Sequence, residues 1–182
     1  MNLIKMLHIR GIKKKMCLFL VNKVFKGTKV KYFEIKRKLL NLAGYSIGTG
    51  TRVVGPVEWL GSVQIGSDCW IGKNCRVNGN GRVIIGDRCD IGPEVTFQTG
   101  GHEIGTAERR AGMGRVFRQT IGNGVWIGGR STICNDAEIG NGCVIASCAC
   151  VTRSIEDNVL VGGVPARVIR RLSVNDSEVS AE

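Results

Sequence analysis

Imidazole is the side chain that exchanges a proton near neutral pH without a special environment, and this chain has two, His8 and His102. His8 sits among lysines close to the N-terminus. His102 sits mid-chain in Gly100-Gly101-His102-Glu103. A base there could take a proton from a hydroxyl or amine as it attacks an acyl group. A lone surface histidine more often does nothing special, so its place in the fold decides. The other reactive groups are eight cysteines, at 17, 69, 75, 89, 134, 143, 148 and 150. No Cys-x-x-Cys pair occurs, and two histidines are too few for a zinc cage, so no metal is expected. Reduced thiols used as small apolar packing residues account for them, the Cys148-x-Cys150 pair included.

The formal net charge of +11 invites a nucleic-acid reading. Its distribution argues against one. Residues 1–46 carry 12 Lys/Arg against one acid, Glu34, while residues 47–182 carry 14 of each sign. A neutral body that is only 5% aromatic is a poor nucleic-acid platform, and its core must be aliphatic. The longest apolar run near the N-terminus, 16–21, is too short for a secretory leader or a membrane span. A cytoplasmic location is expected.

What positions His102 is a repeat. From Ile47 the chain divides into hexapeptides: IGTGTR, VVGPVE, WLGSVQ, IGSDCW, IGKNCR, VNGNGR, then, after two extra residues, IGDRCD, IGPEVT and FQTGGH, and from Ile121 IGNGVW, IGGRST, ICNDAE, IGNGCV, IASCAC and VTRSIE. The first position is aliphatic in all but two units, which carry Trp59 and Phe97. The fifth is mostly small or β-branched, and Cys69, Cys75, Cys89 and Cys143 stand there. Each unit makes one flat side and one corner of a three-sided solenoid, with first and fifth residues inward. Asn, Asp and Gly at the third and fourth positions suit corners that need positive φ. The expected fold is all-β, a parallel β-helix of about five coils spanning 47–166, with rungs about 4.8 Å apart.

Between His102 and Ile121 lie the 18 residues EIGTAERRAGMGRVFRQT, the length of one coil. As a coil they would point Glu103, Arg109 and Arg115 into a dry interior, each at a cost of several kcal/mol, on the order estimated for unpaired buried charge. Residues 103–120 are therefore expected to be an extruded loop. His102, a sixth-position outward residue, stands at its root, where function concentrates.

Three segments, GGHEIGTAERRAG (100–112), IGNGVWIGG (121–129) and VTRSIEDNVLVGGVPARVIRRL (151–172), resemble the hexapeptide-repeat acetyltransferases, and within them the galactoside, maltose, nodulation-factor and capsule-type O-acetyltransferases. The resemblance covers 47–172. It implies a left-handed coil, a homotrimer with sites between subunits, acetyl-CoA as co-substrate and a hydroxyl acceptor such as a saccharide. His102 matches the catalytic base. Trp126 matches the tryptophan against the pantetheine arm, and Gly128 and Gly129 follow it, with a Gly129 N–H suited to an oxyanion. Ser147 replaces the usual alanine along the CoA channel. Thr152 and Arg153 match a Thr-Lys pair at the nucleotide end, and Arg167 and Arg170 match basic positions near the CoA phosphates. Solvated surface charge is the plainer account of the three arginines.

Acceptor contacts are less specific. Asn78 and Asn80, in the irregular stretch NGNGR, could hydrogen-bond a sugar, and turn chemistry explains them equally. Glu108 and Arg109 could meet the acceptor or a neighbouring subunit.

Residues 1–46 form a basic segment plus an amphipathic helix over 32–43, with apolar groups at 32, 35, 39, 42 and 43, capping the first coil. Residues 1–31 could also make peripheral contact with the inner face of a membrane. Residues 167–182 form a C-terminal segment ending in a polar tail. Other readings are a serine, amino-sugar N- or antibiotic acetyltransferase, and a non-catalytic scaffold. Forty-six residues are too few for the helical domain of serine acetyltransferases, and one body histidine excludes a β-helical carbonic anhydrase.

Overall fold

The computed structural model describes the backbone of residues 3–173 and the side chains of 11–173. The side chain of His8 and the polar tail from 174 lie outside the described residues. The chain opens with helix α1 (Leu3–Phe19), a π-helical turn (Leu20–Val24) and helix α2 (Val30–Leu42). It then winds through β1 (Ser46–Ile47), β2 (Arg52–Val53) and β3 (Val57–Trp59), and through β4 (Ser62–Ile65), β5 (Trp70–Ile71) and β6 (Cys75–Asn78). The third coil is β7 (Arg82–Ile85), β8 (Asp90–Ile91) and β9 (Thr96–Gln98). A hairpin, β10 (Gly100–Ile104) and β11 (Ala111–Val116), leaves there. Winding resumes with β12 (Arg118–Ile121), β13 (Trp126–Ile127) and β14 (Thr132–Cys134), then β15 (Glu138–Ile139), β16 (Val144–Ile145) and β17 (Cys150–Val151). Finally β18 (Val159–Gly162) is met by the antiparallel return strand β19 (Arg167–Arg171).

Strands stack into three parallel faces, ordered β1-β4-β7-β12-β15, β2-β5-β8-β13-β16-β18-β19 and β3-β6-β9-β14-β17. The five expected coils are complete, and a sixth begins, because Ile155 bridges Ile139 and β18 pairs with β16. Every first-position residue of the hexapeptide frame is buried, Trp59 and Phe97 included, and so are the fifth-position residues from Thr51 to Ile155 except Gly101, which lies at the start of the hairpin. Each fully buried Ile or Val contributes about 1.5–3 kcal/mol. Fifth-position polar atoms bond to backbone carbonyls one coil on: Thr51 Oγ1 donates to Gly66 O at 2.7 Å, Cys69 Sγ to Gly86 O at 3.1 Å and Cys143 Sγ to Glu156 O at 2.9 Å. A small residue with a donor satisfies a carbonyl that the inner wall would otherwise strand. Many fourth-position corner residues take positive φ, even Arg88, Glu94, Arg130 and Cys148. Cys148 thus lies on a corner, not on the strand of Cys150.

Two expectations need correction. The segment expected as a loop over 103–120 is an antiparallel ribbon beginning at Gly100, and from Arg118 the chain is already back in the coil. Gln119 points inward and is fully buried, with Nε2 3.0 Å from each of the carbonyl oxygens of Gln98, Ile133 and Asn135, which share its two hydrogens. The capping helix presents Phe33, Lys36 and Leu40 to the body; Leu39 packs against the core and Ala43 is buried as expected, whereas Ile35 and Leu42 are exposed. Lys36 turns the register. Its buried ammonium donates to Gly27 O and Val54 O at 2.8 Å each, closing the cap over the first coil.

Candidate active site

His102 lies on β10 opposite Gly114 of β11, with a register irregularity just beyond it. Its ring is exposed, and Nδ1 is 2.9 Å from the carbonyl oxygen of Gly112. A carbonyl only accepts, so Nδ1 carries a hydrogen, and in the neutral ring the lone pair is on Nε2. The orienting group is therefore backbone. Glu103 is exposed and makes no side-chain bond to the ring. Gly112 sits in a tight place, since a Cβ there would lie 3.0 Å from Glu103 O and 3.2 Å from Gly105. At the ribbon's base Arg115 spans Phe117, its guanidinium 5.4 Å from the ring centre, and reaches Asp136 at 3.9 Å.

The candidate acceptor residues divide. Asn78 is half-buried and its Nδ2 is 3.4 Å from Oε1 of Gln98, whose Nε2 donates to Gly100 O at 3.3 Å. Asn78 O also accepts from Thr99 N at 2.8 Å. Asn80 is exposed in the next bend. Both therefore stand at the hairpin root, on the side from which His102 departs. Gln98 belongs to this polar row and escaped the sequence reading. Its signal was a polar residue at a second position that is usually glycine. Glu108 and Arg109 lie at the hairpin tip, where their side chains form no hydrogen bond or ion pair among the described residues.

Trp126 lies on the second face, between Asp90 and Val144 on the adjacent rungs. With Trp70, Asp90, Ile91 and Gly92 it lines an open groove of about 490 Å³. Trp70 is braced edge-on by Phe33 of α2 at 5.7 Å. At the following corner Gly128 N donates to Ile145 O at 2.7 Å, whereas Gly129 N has no acceptor among the described residues. Gly92 makes room for it, since a Cβ there would come within 2.6 Å of Gly129 N. Ser147 stacks on Gly128 and is exposed. Further along, Thr152 and Arg153 are exposed, and Arg153 and Arg167 line one pocket of about 260 Å³ with Ser154, Ala166 and Val168. Arg170 is not part of it and faces Leu160 across β18–β19.

Five of the eight thiols are buried as packing groups, Cys134 and Cys150 are half-buried, and Cys148 is exposed. Burial pushes Cys75 up to about 12, and burial together with the Cys150 thiol, 4.0 Å away, pushes Cys134 to about 11.

The ribbon and the Trp126 groove lie at different places on the prism. The His102 ribbon leaves the prism after a third-face strand, while Trp126 lies on the second face and Gly129 at the corner after it.

Residues 120–153 match the family described as bacterial transferase hexapeptide (six repeats). The galactoside O-acetyltransferase of Escherichia coli is 34% identical over 149 residues, covering 79% of this chain and 71% of that one. Nodulation protein L of Rhizobium meliloti is 37% identical over 109 residues, covering 59% and 58% respectively. The chain spans about three fifths of the length of several curated relatives. Among solved structures, a galactoside acetyltransferase in complex with coenzyme A superposes with a TM-score of 0.80 at 28% identity, covering 100% of this chain and 90% of that one. The chain belongs to the hexapeptide-repeat acetyltransferase family, and its fold is that family's left-handed parallel β-helix.

Proposed function

We propose that this protein transfers an acetyl group from acetyl-CoA to a hydroxyl of a saccharide-type acceptor, with His102 as general base in a homotrimer. The observation that carries the reading is the bond between His102 Nδ1 and Gly112 O, which leaves Nε2 of the exposed ring as the atom able to accept a proton in the neutral form. Nε2 takes the acceptor hydroxyl proton as the oxygen attacks the thioester carbonyl carbon. The free Gly129 N–H stabilises the charge developing on the carbonyl oxygen. As the carbon–sulfur bond breaks, the imidazolium returns its proton to the sulfur, giving an acetyl ester and CoA thiol. Trp126 would line the pantetheine arm, and Thr152, Arg153, Arg167 and Arg170 would serve the nucleotide end.

The exposed ribbon supports the trimer in this reading. A two-stranded ribbon is marginal alone in water, and this one exposes Ile104 at 89% and Met113 at 75%. Threefold packing would cover those side chains and bring one subunit's His102 to the next subunit's groove. Among the described residues no helix is long and apolar enough to cross a membrane.

The test is CoA thiol release across a panel of galactosides, maltose, amino sugars, serine and antibiotics. A sugar hydroxyl should be acetylated, and His102→Ala should lower turnover about 10²–10⁴-fold. Undiminished turnover in that variant removes the base, and absence of both thiol release and CoA binding favours a scaffold.

A further inference from the structure

The two sides of α1 and its π-helical extension are used differently. On one side Cys17 and Val21 are buried in the core. Lys14 Nζ lies 4.7 Å from the Tyr45 ring centre, and Asn22 clamps Val57 through both amide atoms at 2.9 Å each. This side fixes the helix to the first coil. On the other side Ile12, Met16 and Phe19, spaced i, i+4, i+7, form a stripe in which each residue is 55–59% exposed. At 100° per residue Lys13 and Lys15 fall on opposite flanks of the stripe, and both are exposed, as are Lys23 and Lys26 beyond it. No acidic residue precedes Glu34. Apolar groups thus occur on both sides of α1, and packing against the body accounts for only one.

We propose that this outer face of α1 lies flat on an anionic phospholipid surface, with Ile12, Met16 and Phe19 inserted below the headgroups and Lys13, Lys15 and Lys23 at the phosphates. An apolar stripe edged by lysines is the arrangement that enters the headgroup boundary, the lysine stems following the apolar surface and the ammonium groups staying wet. Charge selects the occupant. Residues 1–46 carry 12 basic groups against one acid, so a second copy of the same face would bring like charges together, whereas an anionic surface neutralises them. Because α1 is clamped by Asn22 and Lys14, docking would fix the orientation of the prism above the surface. This goes beyond the proposed acetyl transfer and does not depend on it.

The experiment is co-sedimentation of the full chain with phosphatidylcholine vesicles, with and without phosphatidylserine, at low and high salt. Binding should require phosphatidylserine and fall with salt. The triple variant Ile12→Ser, Met16→Ser, Phe19→Ser should bind about tenfold or more weakly. Replacing Lys13, Lys15 and Lys23 by Gln should cost roughly fivefold per lysine. Both variants should keep the wild-type thermal midpoint and the wild-type mass by light scattering, since the replaced side chains project into solvent. Equal binding to neutral and anionic vesicles, no binding, or full binding by the serine variant would overturn the proposal. A serine variant of smaller assembled mass would assign the face to contacts between copies. Retention on a soluble polyanion by the serine variant, without vesicle binding, would make the lysines alone responsible and overturn it equally.

Discussion

The ring of His102 and the carbonyl of Gly112, ten residues apart in sequence, meet at 2.9 Å across the hairpin. The ribbon therefore does more than carry the imidazole outward, because its second strand sets the tautomer. Gly112→Ala tests this without touching the ring. Its Cβ would press on Glu103 O and Gly105, spreading the strands and displacing the carbonyl. Turnover should fall about tenfold to a hundredfold, the scale of a misplaced catalytic group, with the thermal midpoint nearly unchanged. Wild-type turnover in this variant would mean the ring needs no backbone partner.

Arg153 and Arg167 share a pocket wall that Arg170 does not reach. If they meet a CoA phosphate, Arg153→Ala and Arg167→Ala should each raise the KM for acetyl-CoA about tenfold, the size of a lost charge-assisted contact. The acceptor KM should not move, and Arg170→Ala should do less. Repeating the measurement with acetyl-dephospho-CoA shows whether the contact is to the ribose phosphate, because the arginine effect then shrinks.

The prism was legible because the repeat is an inner-wall constraint. First and fifth positions must be apolar or able to bond a carbonyl, and Cys69, Cys75, Cys89 and Cys143 obey that rule visibly. The hairpin was not legible as a ribbon because neither of its faces meets a core within one chain, so no alternation of apolar residues was selected. The cap register was hidden by Lys36, a charged residue at a buried position that apolar counting assigns to solvent. The partner of His102 left no trace because a backbone carbonyl has no sequence signature. Arg153 and Arg167 were found through resemblance to a family ending, and spacing alone could not have placed them together.

Gln119 shows what the return from the hairpin costs and how the cost is met. Three carbonyls at the rejoining corner share the two hydrogens of one amide nitrogen, while Oε1 of the same side chain is buried without a partner among the described residues. Gln119→Leu keeps the volume and removes the donor. It should lower the unfolding free energy by about 2–4 kcal/mol, the range for leaving several buried acceptors unsatisfied. Chemical denaturation followed by circular dichroism measures it. A loss below about 0.5 kcal/mol would mean that water reaches those carbonyls once the amide is gone.

Lys36 makes the stability of the N-terminal cap depend on pH in a definite direction. Its ammonium is enclosed between Gly27 O, Val54 O and the Phe33 ring, 5.0 Å from the ring centre. Burial lowers its pKa from 10.5 to about 8. The folded state therefore binds this proton less tightly than the unfolded state. Below about 8 both states are charged and the full penalty applies. Between about 8 and 10.5 the unfolded chain holds more protons, so raising the pH favours folding. A neutral amine still offers two hydrogens, enough for both carbonyls. Thermal midpoints of the wild type and of Lys36→Met, compared from pH 7 upward, separate this effect from the general alkaline response. The wild type should gain on the variant across that window and on neither side of it. A difference that stays flat would show that the ammonium remains solvated in the folded chain.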